Sequence, residues 1–222
     1  MNTPFTAEQF FAAFADYNRT IWPVQILFIA IAVAGVAAAV RGTRHSRAIV
    51  LGLAVAWVWM ALAYHGAFFS KINPAAYAFA GVFLVQALLF WWYGVVHDRL
   101  RIADVRDVAS SAVGWILIVY SVLVYPAIGY LSGQRFPAMP TFGLPCPTTI
   151  FTLGLLAWAA RPVPLAVFVV PVLWAALGTS AALMFGVVED YALPVAALAV
   201  VALQLWHRRA GIQPLPQRRS NI

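Results

Sequence analysis

The sequence predicts an all-α fold, a polytopic membrane helix bundle of seven transmembrane helices with the N-terminus outside and the C-terminus cytoplasmic. Three observations predict it. The first is solvent preference. Hydrophobic residues make up 64% of the 222 positions and charged residues 9%, against roughly 25% charged in soluble domains. A chain so poor in charge has lipid, not water, as its solvent. The second is a series of continuous apolar runs near 20–40, 48–69, 76–96, 109–130, 148–160, 164–186 and 191–206. Most reach the roughly 20 residues that a helix needs to cross hydrocarbon. They do not alternate, so they read as helices and not as barrel strands. The third is charge placement. Segments 41–47, 97–107, 161–164 and 207–222 hold 11 of the 14 basic residues, leaving Arg19, Lys71 and Arg135 elsewhere. With seven spans, every basic segment falls on one side, and the positive-inside rule makes that side cytoplasmic. A six-span reading would bury Arg161 in the membrane and put the basic tail on the wrong side.

At the N-terminus, Thr6 and Gln9 have capping-box spacing. Phe10, Phe14 and Tyr17 recur at helical intervals, with Phe11 beside them. Residues 1–18 therefore read as a short helix in the outer interface, ahead of a transmembrane bundle over 19–207. No basic start precedes a short apolar core, so the segment does not read as a cleavable signal. The tail 208–222 ends in IQPLPQRRSNI, with two prolines and no periodicity. It reads as a disordered basic cytoplasmic tail. The basic excess serves topology and anionic headgroups; the expected partner is the lipid bilayer, and nucleic acid is not expected. No internal repeat is visible, so the inverted-repeat signature of many transporters is missing.

Several functions are excluded by inventory. A retinal protein needs a lysine within a span, and the single lysine, Lys71, falls in a loop. A membrane thiol oxidoreductase needs two cysteines, and Cys146 is the single one. A bis-histidine haem needs two facing imidazoles, whereas His65 alone falls within a span. No phosphate-cradling glycine loop, HExxH or GxSxG is present, and no cofactor is expected. Asn73-Pro74-Ala75 spells the aquaporin signature once, without the second copy that such a pore uses. Asn73 as a helix cap with Pro74 in the first turn explains it better.

The candidate site centres on TFGLPCPTTIFTLG, residues 141–154. Pro147 suits a first helical position, which puts Cys146 at or near the N-cap. Thr148 and Thr149 can satisfy free backbone donors in that turn. Thirteen residues from Thr148 to Ala160 span only about 20 Å at 1.5 Å per residue. This span therefore starts below the membrane surface, and the loop before it dips inward. Cys146, flanked by Pro145 and Pro147, then lies at the floor of an outward-facing pocket. Its competing role is packing, as a small apolar filler. His65, near the outer end of the second span, is either a pocket residue or a histidine bonded to a backbone carbonyl or to Tyr64. Glu189 and Asp190 are pocket candidates in the loop between the last two spans. Their simpler reading is a solvated turn in which Asp190 caps the final helix. Gln25 and Gln86 read as interhelical glue. The tryptophans, Trp174 among them, read as interfacial belt and packing.

PFTAEQFFAAFADYN with IWPVQ, AYHGAFFSKINPAAY, and above all TFGLPCPTTIFTLG followed by PVLWAALGTSAAL resemble an uncharacterised family of bacterial integral membrane proteins, domain of unknown function 6064. The resemblance covers nearly the whole chain. It implies a bacterial multi-pass protein and brings no activity, substrate or cofactor. The family motif falls on Gly143, Leu144, Pro145, Cys146, Pro147 and Thr148.

The expectation is therefore a protein of the bacterial inner membrane with a small periplasm-facing pocket. It would bind or pass a small neutral solute, or a soft metal ion held by Cys146 and His65. An accessory subunit without a ligand is the alternative. A membrane enzyme with a Cys146 nucleophile is a weaker one, since His65 is the sole base in reach.

Overall fold

The computed structural model describes residues 4–103, 107–160 and 163–209. Helix dominates. α1 (Ala7–Ile21) is started by the expected capping box: Thr6 Oγ1 accepts from the Gln9 N–H at 3.2 Å, and Gln9 Oε1 accepts from the Thr6 N–H at 2.9 Å. At Trp22-Pro23 the chain bends by 83° into α2 (Val24–Val40), where proline withholds the N–H that would continue α1. α3 (Ser46–Trp59) continues as a π-helical stretch, Met60–Phe68. α4 (Ala76–Phe90) does the same through Trp91–Val96. α5 (Val108–Val119) runs through the π segment Tyr120–Val124 into α6 (Tyr125–Leu131). α7 (Pro145–Ala157), α8 (Ala166–Phe185) and α9 (Ala192–Arg209) follow, with a 3₁₀ turn at Val188–Tyr191.

Among the described residues, five helical runs are long and apolar enough to cross a membrane: Thr43–Lys71, Ala76–Val96, Val108–Leu131, Ala166–Phe185 and Val188–Arg209. The bent pair α1–α2 would be a sixth by length and composition. The described residues are thus predominantly helical, with apolar runs compatible with a multi-pass membrane protein. Each predicted run coincides with a helix, although α7 lies three residues earlier than expected and has 13 residues.

Contacts define two ends of the bundle. At the arginine-rich end, β1 (Arg101–Ile102) pairs antiparallel with β2 (Ala159–Ala160), and the Ile102 N–H donates to Ser46 Oγ at 2.6 Å. Asp98 pairs with Arg47 at 3.6 Å and with Arg101, and Arg208 donates to the Val163 carbonyl at 2.8 Å. Asp107 caps α5 and lies 2.9 Å from His207 Nε2. Desolvation alone would raise the pKa of Asp107, but hydrogen bonds from Ser110 and the His207 contact outweigh it and hold the carboxyl below its usual range.

At the opposite end, α1 lies across the bundle. Its apolar face is occupied by protein: Phe10 stacks on Phe185 at 4.8 Å, and Tyr17 meets Tyr64 edge-on at 5.5 Å. α1 also runs past the expected boundary at residue 18 to Ile21. The loop 132–144 folds back on the bundle as the short α7 requires. Buried Asn18 holds it, donating to the Pro137 and Met139 carbonyls at 2.6 and 2.8 Å and accepting from Thr141 Oγ1 at 2.8 Å.

α7 runs through the middle. Twelve of its thirteen residues are buried, all but Cys146, while α2, α4 and α8 turn aliphatic side chains such as Ile26, Leu88 and Leu173 outward. Gly114 and Gly154 let α5 and α7 meet at backbone distance: a Cβ on Gly154 would stand 3.1 Å from the Gly114 carbonyl oxygen. Gln86 bridges α4 to α8 by donating to the Val167 carbonyl at 3.0 Å, and Gln25 donates to Asn18, as expected of interhelical glue. Of the predicted tail 208–222, Arg208 and Arg209 belong to α9; the remainder lies outside the described residues, as does Arg161.

Candidate functional site

The glycine-proline motif starts α7 in a particular way. Gly143 has φ +102°, and a Cβ there would sit 2.7 Å from the Phe28 ring, so both backbone and space require glycine. Its carbonyl accepts from Tyr17 Oη–H at 3.1 Å, and its N–H donates to Thr148 Oγ1 at 3.2 Å. The cap is Leu144, and α7 opens with Pro145, Cys146 and Pro147. This corrects the expectation that Cys146 would be the cap with Pro147 first. Proline has no N–H, so two of the three first-turn donors are missing. The positive helix end that usually binds anions keeps only the Cys146 N–H among these three positions. Thr149 Oγ1 has no partner, so of the two threonines only Thr148 satisfies a donor, and that donor belongs to the loop.

Cys146 lines a partly open cavity of about 210 Å³ at this end of the bundle. The walls are apolar and largely aromatic, with Phe10, Phe14, Tyr64, Phe69, Phe79 and Trp174 contributing, and Pro145 and Pro147 at the α7 side. Asn73 also lines it; its side chain accepts from the Ala75 N–H at 3.1 Å in the turn before α4, whose cap is Ala75 and not the expected Asn73. Leu177, Ser180 and Met184 line the cavity yet are exposed on α8, so its mouth lies along the side of α8. The expected floor of an outward-facing pocket is therefore a side wall.

Asp190 supplies the polar pole. The expectation of a solvated turn at Glu189-Asp190 is overturned: Glu189 is 0% and Asp190 2% exposed. The turn is folded inward because its apolar neighbour Val187 is fully buried and Tyr120 Oη–H ties the Glu189 carbonyl at 2.8 Å. Asp190 lines the cavity and accepts from Tyr125 Oη–H at 2.5 Å. Cys146, Asp190 and Trp174 line the same cavity. Gly178 makes room on α8, with its Cβ position 3.6 Å from the Cys146 sulfur. Glu189 points away from the cavity toward Gly129 and Gln134, and neither of its oxygens has a hydrogen-bond partner.

His65 does not belong to this group. It is fully buried, it is not on the cavity wall, and neither ring nitrogen has a hydrogen-bond partner. That also removes the expected bond to a carbonyl or to Tyr64. Phe83, Trp174, Phe79 and Phe69 surround the imidazole edge-on, at centroid distances from 4.6 to 6.1 Å. Trp174 meets the His65 ring edge-on at 5.1 Å and lines the cavity with Cys146 and Asp190. Among the described residues no three His, Cys, Asp or Glu side chains converge as metal ligands do. An imidazole without partners gives up hydrogen bonds to water on folding. His65→Phe is therefore expected to leave the melting temperature in detergent unchanged or to raise it by a few degrees. A fall of more than about 5 °C, on the order of 2 kcal/mol for this chain length, would show that the nitrogens have partners.

The sequence did not single out Tyr125 or Asn18. Tyr125 sits in an ordinary apolar run, and Asn18 at a predicted helix end, where asparagine needs no special role. Trp174 reads in the sequence as belt or packing, whereas it lines the cavity.

The sequence profile described as a family of unknown function (DUF6064) matches residues 7–213. No curated protein and no solved structure matches the chain.

Proposed function

The chain belongs to that family of unknown function, and with no activity to inherit from it we propose that the protein binds a small, mostly apolar solute in the cavity beside Cys146. The observation that carries this is the wall itself: about 210 Å³ lined by aromatic rings and closed at one pole by Asp190, Tyr125 and Cys146. A cavity of about 150 Å³ with apolar walls already holds benzene. Concave, mainly apolar walls with a few converging polar groups are what ligand sites share. In this reading the α1–α2 bend separates a capping helix from a first crossing. The helices α2, α3, α4, α5–α6, α7, α8 and α9 then cross seven times, with the arginine-rich end in the cytoplasm of a bacterium and the cavity at the outer face of its inner membrane. Passage of the solute across the membrane is the further step that the reading allows.

The test is thiol labelling in intact cells. Cys146 is the single thiol, so a small membrane-impermeant reagent added outside reports both the cavity and the orientation. We expect ready labelling by the small reagent and slow labelling by a bulky maleimide. Ala181→Phe, which fills the wall, should cut the small-reagent rate at least about tenfold. A thiol that reacts only after denaturation would sink the cavity reading.

A further inference from the structure

We infer that the solute carries one positive charge: the cavity is built for a small organic cation, such as a protonated amine on an apolar body. The inference rests on the cavity reading above and adds the sign of the charge. Three independent features agree on that sign.

The first is the wall inventory. Among the described residues that line the cavity, Asp190 is the sole acidic one, and no Lys, Arg or His accompanies it. A nearly fully buried carboxyl facing a cavity with no cation of its own leaves a place for one. Tyr125 engages Oδ1, and a carboxyl has acceptor sites beyond that one.

The second is the aromatic wall. Phenylalanine, tyrosine and tryptophan faces carry partial negative charge and attract cations within about 6 Å, more strongly where water is excluded. Phe14 and Trp174 line the cavity without a stacked partner and favour a cation over a neutral isostere, and an anion least.

The third is the start of α7. A helix N-terminus beside a pocket would ordinarily recruit an anion, yet Pro145 and Pro147 strip it of two donors. The competing anion site is thus dismantled by the same motif that places the thiol. One charge-assisted hydrogen bond contributes roughly 1.5–3 kcal/mol, or about tenfold or more in affinity.

The full-length protein in detergent or native vesicles supplies the test, with modification of Cys146 by a small neutral thiol reagent as readout. The probes are benzylamine, benzyl alcohol and benzoate, nearly equal in shape and different in charge. Benzylamine is expected to protect the thiol at concentrations about tenfold lower than benzyl alcohol, and benzoate not at all. In Asp190→Asn the benzylamine advantage should vanish while benzyl alcohol still protects, which also shows that the variant is folded. Tyr125→Phe, which leaves the carboxyl in place, should keep the advantage. Equal protection by benzylamine and benzyl alcohol in the unmodified protein overturns the charge and leaves the cavity standing. Protection by none of the three overturns both. A benzylamine advantage that survives in Asp190→Asn also overturns the assignment, because the carboxyl is then not its source.

Discussion

Gly114→Leu is expected to destabilise the protein more than any other change considered, by about 3 kcal/mol or more. A Cβ on Gly114 would lie 2.0 Å from Trp158 Nε1 and 2.4 Å from its Cδ1. The indole cannot step aside: it is fully buried, packs edge-on against Trp115 at 4.9 Å, and donates to the Ser111 carbonyl at 3.3 Å. Either α5 moves off α7 or the ring leaves its site, and the neighbouring Gly114–Gly154 backbone contact goes with it. Thermal unfolding followed by tryptophan fluorescence in detergent should show a midpoint lower by roughly 5–10 °C. Gly81→Leu is the control, because nothing lies within 4 Å of a Cβ there, and it should change the midpoint little. Combining Gly114→Leu with Trp158→Ala should cost clearly less than the sum of the two, since each relieves the other's fault. Strict additivity would show that the clash is not what destabilises Gly114→Leu.

Asn18→Ala should release the loop 132–144. Asn18 is fully buried, donates to two carbonyls, and accepts from Thr141 Oγ1 and, at 3.1 Å, from Gln25 Nε2. Truncation leaves those four groups without this partner. At about 1 kcal/mol for each bond, with more where the abandoned group stays buried, the cost is about 3 kcal/mol. It falls on one segment, so proteolysis is the sharpest readout. The unmodified loop should resist cleavage in native membranes, and Asn18→Ala should be cut between Gly133 and Phe142 many times faster. Asn18→Asp is no rescue, because it removes both donors and sets a carboxylate against two carbonyls. Equal cleavage rates for Asn18→Ala and the unmodified protein would mean that Tyr17 and the packing of Leu144 hold the loop alone.

Helix locations were legible because lipid demands long apolar runs, and that demand is one-dimensional. The capping box at Thr6–Gln9 and the packing of the loop before α7 onto the bundle could be read from spacing and length. The site was legible in part. Cys146 stood out by its flanking prolines, and the short helix behind it implied depth. The polar pole was misread, since Glu189-Asp190 looks like any acidic turn between two spans. Only the burial of Val187 and the reach of Tyr120 and Tyr125 from a distant helix turn it inward. His65 was overvalued for the opposite reason. A histidine within an apolar run suggests chemistry, while the five aromatic rings around it come from three helices and cannot be assembled from local pattern.

The burial of α7 bears on how the protein is made. A segment entering a membrane during synthesis is held there by its own apolar length, and roughly 20 residues are needed. α7 has 13, with Thr148, Thr149 and Thr152 among them. In the proposed seven-span reading it must therefore wait for company. Trp57 of α3 already offers Thr152 a hydrogen bond at 3.1 Å, and α5 offers the glycine seam, so the earlier helices form a half-built cradle. α8 and α9, emerging afterwards, close it. The orientation of those last two helices then depends on α7 having been retained. Lengthening α7 with leucines should make its insertion autonomous, at the expense of the packing that now requires it to be short.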